Sequence, residues 1–220
     1  MKIVFTVDSL NAGGAERVIS TLANQFSNFG DQIFIILVSY NKNTSFYKLN
    51  NSIQTISLVE KYNKKVNPFK RIFLLKKIIK KIKPDLVISF LSHIIIYTWL
   101  SLIGTKIPFF VSERNDPNQY KWLFKVLLKR AFRKADGCVF QTKKAMEWYG
   151  KGIFQKSSII YNPVFLTCEK KKEQKRRNEI VTVGRLTEQK NYFFLLDVFK
   201  NFSLNYHNFD LKIYVFITLK

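Results

Sequence analysis

Short apolar runs alternate along this chain with longer stretches in which apolar residues recur every three or four positions. Apolar runs of about four to eight residues bounded by turn residues are typical of strands, and the longer repeat is typical of helices that bury one face. Because most of the runs are apolar at successive positions, both faces of the sheet must be covered, which indicates an α/β fold with a parallel sheet. The predicted strands are residues 2–7, 32–39, 53–59, 85–91, 107–112, 137–142, 157–163, 180–184 and 211–217, and the predicted helices are residues 14–29, 68–83, 94–103, 118–134, 143–149 and 192–206.

A polar stretch separates the last strand–helix–strand cycle from the others. "CEKKKEQKRRNE" contains almost no apolar side chains and is typical of a solvated linker. The single cycle after it cannot bury both faces of its sheet, so we expect only the start of a second domain there. The predicted organisation is a complete parallel-sheet domain over residues 1–163, a basic linker over 164–179 and the truncated start of a second domain over 180–220.

One apolar stretch is nearly long enough to span a bilayer. "LVISFLSHIIIYTWLSLIG", residues 86–104, has no formal charge. Its serine, threonine and histidine residues make it a poor membrane span, and we predict a buried strand, a turn and a buried helix instead. At the amino terminus, Asp8 interrupts the first apolar run too early for a signal peptide. We therefore expect a protein of the cytosol or of the inner membrane face.

The charge balance is strongly basic. Lys and Arg number 37 against 15 Asp and Glu, a formal net charge of +22, which indicates a phosphate-rich partner such as nucleic acid, an anionic membrane or a phosphorylated small molecule. A basic nucleic-acid-binding protein is thus one alternative, although no helix-turn-helix, zinc finger or RNA-stacking signature supports it. Cys138 and Cys168, like His93 and His207, lack the spacing of a zinc site, and two cysteines fit a reducing compartment.

Two glycines follow the first predicted strand. In "DSLNAGGAERV", Gly13 and Gly14 fall at the carboxyl end of that strand, where open parallel sheets bind their ligands. Glycine there permits unusual dihedral angles and close approach of a ligand to the backbone, and free N–H groups at a helix start can hold an anion. The spacing is not G-x-G-x-x-G, and Glu16 opposes a phosphate. A purely structural turn therefore remains the alternative.

Two cations lie in the loop after the strand that opens the second domain. "VGRLTEQKN" places Arg185 and Lys190 between a predicted strand and helix, where two fixed positive charges could neutralise a diphosphate. In so basic a chain the alternative is that both are ordinary solvated surface residues.

Polar residues also follow the fourth and fifth predicted strands. "VSERNDP" places Glu113, Arg114 and Asn115 at the same edge of the sheet, where a carboxylate could act as a base or bind sugar hydroxyls. Alternatively, "NDPN" is a turn with a helix cap. His93 follows the fourth strand at this edge and is a further candidate for a functional role. The alternative is that this histidine has a purely structural role.

Two predicted helices combine a broad apolar stripe with many cations. We expect each stripe to face the core, while the basic outer faces could rest on anionic lipid. The stripe residues are Phe69, Ile72, Phe73, Leu75, Ile79 and Ile82 in the first helix, and Trp122 and Phe124 in the second.

Taken together, these segments resemble the retaining family 4 glycosyltransferases, which have the GT-B fold of two Rossmann-like domains. Members with "SERNDP" commonly build capsule, lipopolysaccharide or lipid-linked oligosaccharides in bacteria. The resemblance is carried by "GGAERV", "KIKPDLVISF", "VSERNDP", "ADGCVFQTKKAMEWY", "IIYNPV" and "IVTVGRLTEQKN".

The resemblance implies a role for each candidate residue. A nucleotide-sugar donor would bind in the cleft between the domains and no bound metal or other cofactor would be needed. The acceptor would be a lipid-linked glycan at an anionic membrane surface, and no specific nucleic acid is expected. The implied roles are donor binding by Gly13, Gly14, Arg185 and Lys190, catalysis by His93 and Glu113 near the transferred sugar or the acceptor, and acceptor binding by Arg114 and Asn115.

The chain departs from the family pattern at its end. The family's second domain continues with a glycine-rich segment and a paired-glutamate motif, E-x7-E, but here "FITLK" follows "LKIYV". We therefore expect no appreciable transferase activity from these 220 residues alone. A non-catalytic partner subunit is a further alternative.

Overall fold

The computed structural model describes residues 1–39, 45–59, 67–163 and 177–215. The chain divides into two compact units, Met1–Val164 and Phe165–Lys220. Positions 164–176 of the predicted linker, Cys168 among them, lie outside the described residues.

The first unit is built on a parallel sheet of seven strands in the order β3-β2-β1-β4-β5-β6-β7. The chain first builds outward from β1 through β2 to β3 and then returns to the other side of β1, so the carboxyl ends of β1 and β4 flank the switch point. This arrangement confirms the predicted α/β, Rossmann-like fold. The elements are β1 (Lys2–Val7), α1 (Gly14–Asn28), β2 (Gln32–Leu37), β3 (Gln54–Ser57), α2 (Pro68–Ile82), β4 (Leu86–Phe90), α3 (Ser92–Leu102), β5 (Phe109–Ser112), α4 (Trp122–Lys134), β6 (Gly137–Phe140), α5 (Lys143–Tyr149) and β7 (Ser157–Ile159).

The strands are apolar at successive positions because the sheet has a hydrophobic core on each face. On one face, side chains such as Ile3 and Phe5 pack in a cluster with Ile19 of α1. On the other face, Val4 and Val87 belong to a larger cluster that includes buried residues of α2 through α5.

The uncharged stretch 86–104 forms a strand and a separate helix, as predicted. Leu91 alone connects β4 to α3, and its φ of 69° allows the chain to turn within one residue. The helix therefore begins at Ser92, two residues earlier than expected, which places His93 in its first turn. No helix in the described part of the chain combines the length and apolar character needed to cross a membrane.

The two basic helices bury less of their aromatic residues than predicted. In α2 the fully buried positions are Leu75 and Ile79, while Phe69 and Phe73 are 82% and 68% exposed. At about 100° per residue, Phe73 lies roughly 160° around the helix from Leu75 and so cannot share its face. Including Phe69 and Phe73 in the core stripe was therefore wrong. Trp122, at the start of α4, is likewise 76% exposed.

Helix α4 begins later than predicted because a separate turn precedes it. Pro117–Gln119 forms a 3₁₀ turn, and Oδ1 of Asp116 accepts a hydrogen bond from the Asn118 N–H at 2.9 Å. The "NDPN" segment is thus a capped turn, one of the two interpretations that the sequence left open.

Within the described residues 177–215, the second unit contains a parallel pair of strands and one α-helix. Strand β8 pairs with β9 along six residues, and none of the described residues of this unit is fully buried. Its elements are β8 (Glu179–Gly184), α6 (Tyr192–Ser203) and β9 (Asp210–Val215), with a 3₁₀ turn at Glu188–Lys190 before α6.

Candidate functional site

The candidate residues of the first unit lie at the carboxyl ends of four neighbouring strands. We use the term carboxyl-end rim for the residues that directly follow β1, β4, β5 and β6. These are positions 8–10, 91–93, 113–116 and 141–142. Parallel strands end at one edge, so residues distant in sequence meet there.

The Glu113 carboxylate lies in the interior beneath this rim and is only 2% exposed. Tyr149 donates a hydrogen bond from its hydroxyl to Oε2 at 2.6 Å, and the Ser92 hydroxyl lies 3.1 and 3.0 Å from the two carboxylate oxygens. The backbone N–H groups of Arg114 and Asn115 donate to Oε1 at 2.9 and 3.0 Å. Each oxygen therefore has internal donors, which is the condition for burying a carboxylate.

This network joins three separate elements of the rim. Ser92 is the first residue of α3, Tyr149 is the last residue of α5, and Glu113 follows β5. Tyr120 extends the network, because its hydroxyl lies 2.9 Å from Ser92 Oγ and 3.2 Å from Nδ2 of Asn115. The arrangement favours a positioning role for Glu113, and its predicted role as a catalytic residue stays a prediction.

Burial and charge act together on the groups around this carboxylate. The pKa of the Tyr149 hydroxyl is raised far above its ordinary value, first by burial and then by the negative charge of Glu113 and the hydrogen bond to it. Tyr149 is therefore a hydrogen-bond donor at any working pH. Burial lowers the pKa of the Arg114 guanidinium, and the charge of Glu113 opposes that shift.

Arg114 is occupied by contacts within the first unit. Its Nε donates to the Ser112 hydroxyl at 3.0 Å, its Nη1 donates to the side-chain oxygen of Asn162, and its guanidinium lies 5.4 Å from the centre of the Phe90 ring. The side chain thus ties the end of β5 to the segment after β7. Its acceptor-binding role, like that of the neighbouring Asn115, stays a prediction.

His93 forms a pair with Asp8 across the switch point. Nε2 of His93 lies 3.2 Å from Oδ1 of Asp8, and both side chains are partly exposed. An ionised carboxylate only accepts hydrogen bonds, so we assign the donating proton to Nε2. The Asp8 contact therefore does not use Nδ1, the other ring nitrogen. The pKa of Asp8 is lowered mainly by the His93 hydrogen bond, with further lowering by the Ser39 hydroxyl and the charge of Arg71, while burial opposes it.

Gly13 and Gly14 begin helix α1, close to the rim. Gly13 has an extended backbone with φ −158°, so unusual dihedral angles are not the reason for glycine there. A Cβ atom on Gly13 would lie 2.2 Å from Oε2 of Glu16, whereas Gly14 has open space around it. That oxygen ends a flexible side chain, so a Cβ at Gly13 would require only that the Glu16 carboxylate move, and donor binding by either glycine stays a prediction.

Arg185 and Lys190 belong to the second unit and are both exposed. Lys190 ends the 3₁₀ turn before α6, and its side chain folds back beside Gly184, where an added Cβ would lie 3.6 Å from Cε. A Cβ there would also lie 2.9 Å from the Tyr192 hydroxyl. The carboxyl end of β8 therefore carries both cations beside a glycine, as the loop sequence predicted.

Sequence reasoning missed Asp8, Ser92, Tyr120 and Tyr149 in this site. Asp8 could have been found, because it is the carboxylate that directly follows the first strand. Ser92 and Tyr149 gave no such signal, since they reach Glu113 across 21 and 36 residues of sequence.

The contact between Asp8 and His93 leads to a prediction about the titration of the Asp8 carboxyl. We expect the pKa of the Asp8 carboxyl, measured by NMR, to lie below the ordinary value of 3.8 and to rise towards it in His93→Ala, because the dominant hydrogen bond is lost. Because the pKa of Asp8 is lower in the folded state than in the unfolded chain, its ionisation stabilises the folded state at pH values above the ordinary pKa. This stabilisation disappears as the pH falls through the lowered pKa of the folded state. An Asp8 pKa that does not respond to His93→Ala would contradict the pairing.

Comparisons with known proteins identify the family and agree with the fold. The family model described as Glycosyltransferase Family 4 matches residues 12–167. A curated relative from Campylobacter jejuni is 30% identical across 94% of this chain; it is named GalNAc-alpha-(1->4)-GalNAc-alpha-(1->3)-diNAcBac-PP-undecaprenol alpha-1,4-N-acetyl-D-galactosaminyltransferase. This chain spans 60% of that relative's length.

Solved structures support the same assignment at the level of the fold. The apo form of the lipopolysaccharide outer core galactosyltransferase WaaB matches with a TM-score of 0.59 and 20% identity, covering 85% of this chain and 53% of its own. Anabaena Alr3699/HepE in complex with UDP-glucose matches with a TM-score of 0.60 and 13% identity, covering 90% of this chain and 56% of its own. With a family model that matches most of the chain, a related transferase and neighbours of the predicted GT-B fold, the chain belongs to glycosyltransferase family 4.

Proposed function

We propose that this protein transfers a hexosyl unit from a nucleotide-sugar to a membrane-associated glycan carried on a polyprenyl diphosphate, with retention of the anomeric configuration. The observation that carries the proposal is the alignment, across 94% of the chain, with a transferase whose name gives an undecaprenol-diphosphate-linked substrate and an alpha linkage. The chain spans 60% of that relative's length, and the activity of the whole protein is therefore part of the proposal.

The donor side of the proposal rests on Arg185 and Lys190. Two fixed cations beside Gly184 suit a diphosphate, and a related fold was solved with UDP and with UDP-glucose. As the sugar leaves, negative charge builds up on the nucleoside diphosphate, and these cations would stabilise it without a bound metal. Gly13 and Gly14 would contribute backbone N–H groups at the start of α1.

The acceptor side rests on the carboxyl-end rim. His93, oriented by Asp8, would contact the transferred sugar or the acceptor hydroxyl through Nδ1. Arg114 and Asn115 would contact the acceptor, while Glu113 holds the loop that carries them. Since the paired-glutamate segment of the family has no counterpart here, we propose that these 220 residues alone show no turnover. Product formed by the purified chain would refute this.

The acceptor would be met at an anionic membrane surface on the cytoplasmic side. Phe69 and Phe73 are exposed on α2, and exposed lysines such as Lys77 and Lys80 stand on the same helix. Trp122 adds an exposed aromatic ring beside Lys121. Apolar side chains among cations are the combination that binds an anionic interface.

The donor site can be tested by titration with UDP. We expect the double variant Arg185→Ala/Lys190→Ala to weaken UDP binding at least about tenfold, because two charge-assisted contacts to phosphate are lost. Isothermal titration calorimetry on the full chain measures the effect, and Lys200→Ala, an exposed cation near the other end of α6, is the matched control. Equal affinity in the double variant, or no UDP binding by the unsubstituted chain, would overturn the donor assignment.

The membrane surface can be tested by flotation with vesicles that contain or lack phosphatidylglycerol. We expect the chain to float with the anionic vesicles, and Phe69→Ser/Phe73→Ser to reduce the bound fraction several-fold, because each buried ring contributes apolar area. Phe29→Ser is the matched control, since Phe29 is 79% exposed away from α2. Steeply salt-dependent binding to duplex DNA without flotation would instead favour a nucleic-acid-binding protein.

A further inference from the structure

A cavity opens at the carboxyl ends of β5 and β6, beside the Glu113 network. Its volume is about 350 Å³, within the range of roughly 300–1,000 Å³ that small-molecule sites occupy. Its wall combines the loop after β5 with the start of α5 and one aromatic ring. The side chains that line this wall include Asn115, Asn118, Gln141, Thr142, Lys144 and Trp148.

The polar groups of this wall include both donors and acceptors that their structural contacts leave unused. The Thr142 Oγ1 accepts from the Ala145 N–H at 3.1 Å, so its own O–H remains as a donor. Asn115 uses its Nδ2 on Tyr120, which leaves the side-chain oxygen as an acceptor. The Gln141 amide makes no hydrogen bond to any side chain or backbone group in the described part of the chain.

One wall of the cavity is the indole of Trp148, which is half-buried and held in place from three sides. Its Nε1–H donates to Oδ1 of Asn118 at 2.8 Å, the Lys129 ammonium lies 4.3 Å from the ring centre, and the Tyr149 ring meets it edge-on at 4.9 Å. A fixed aromatic surface beside convergent polar groups is typical of a small-molecule site. The indole ring suits the C–H face of a ligand ring. The side-chain amides of Asn115 and Gln141 and the Thr142 hydroxyl suit polar groups at the edges of that ring.

The charges of the lining side chains balance. Arg114 and Lys144 carry positive charge, and Glu113 and Asp116 carry negative charge. The nearby Lys129 ammonium lies over the Trp148 ring, which engages its charge. In a chain with a net charge of +22, this balance among the lining side chains does not favour a phosphate or diphosphate. The chemistry points to a neutral ligand with many hydroxyl groups.

We propose that this cavity binds a neutral pyranose unit of the acceptor glycan, stacked on Trp148 and held by Gln141 and its neighbours. The inference rests on the proposed function, because that function supplies a glycan as the acceptor. It adds a binding subsite, formed after β5 and β6, to the predicted acceptor contacts of Arg114 and Asn115. The subsite would hold the glycan while the reacting hydroxyl lies elsewhere on the rim.

The test is a heteronuclear NMR titration of the full chain with a GalNAc-α-1,4-GalNAc disaccharide. The three indole N–H signals serve as reporters, because Trp148 lines this cavity, Trp99 lines a different one and Trp122 is exposed. We expect a saturable shift of the Trp148 signal in the millimolar range with the other two unchanged. Gln141→Ala should weaken binding at least about fivefold, as the loss of one hydrogen bond requires, and Gln25→Ala on α1 should not.

Any one of three results would overturn the subsite. The first is a shift at Trp99 or Trp122 without one at Trp148, and the second is the absence of any saturable shift. The third is unchanged affinity in Gln141→Ala whose spectrum shows an intact fold. A parallel UDP titration, read at Arg185 and Lys190, separates this inference from the proposed function. UDP binding without sugar binding removes the subsite alone, whereas sugar binding without UDP binding removes the donor assignment alone.

Discussion

The buried carboxylate of Glu113 is the interaction on which the carboxyl-end rim depends. Removing an ionised carboxylate from water costs several kcal/mol, and the fold recovers this only if donors surround it. Here the donors come from Ser92, Tyr149 and two backbone N–H groups, so three elements must be in register before the charge is satisfied. Burying this charge therefore constrains the relative positions of α3, α5 and the loop after β5, because the loss of any donor would leave the buried carboxylate with fewer hydrogen bonds.

Both candidate binding regions of the first unit follow from this constraint. Ser92 is the residue before His93, so fixing it also fixes the first turn of α3 and the approach of His93 to Asp8. Tyr149 is the residue after Trp148, so fixing it places the aromatic wall of the cavity. The loop that begins at Glu113 supplies Asn115 to the same cavity. One internal group therefore positions side chains at both places.

The sequence predicted the layered fold well because burial on both sheet faces leaves a local record of consecutive apolar residues. It also predicted that the stretch 86–104 divides into a strand and a helix, because its polar residues fall where a membrane span could not hold them. The apolar stripe predicted for α2 was too wide, because the helical period already places Phe73 roughly 160° around the helix from the buried Leu75. Local patterns could not show that Glu113 is buried, because its side-chain partners Ser92 and Tyr149 are brought to it by the strand order and lie far from it in sequence. The Asp8–His93 contact, across 85 residues, has the same origin.

Hydrogen–deuterium exchange in Glu113→Ala tests this account most directly, with Glu147→Ala, an exposed carboxylate on α5, as the control. If Glu113 holds the rim together, amides in the first turn of α3, in positions 113–116 and in α5 should all exchange at least about tenfold faster, a change of roughly 1.4 kcal/mol in local opening free energy. The control should leave all three segments as they are. Acceleration confined to the amides of Arg114 and Asn115, with α3 and α5 unchanged, would show that the carboxylate caps its own loop and does not organise the rim.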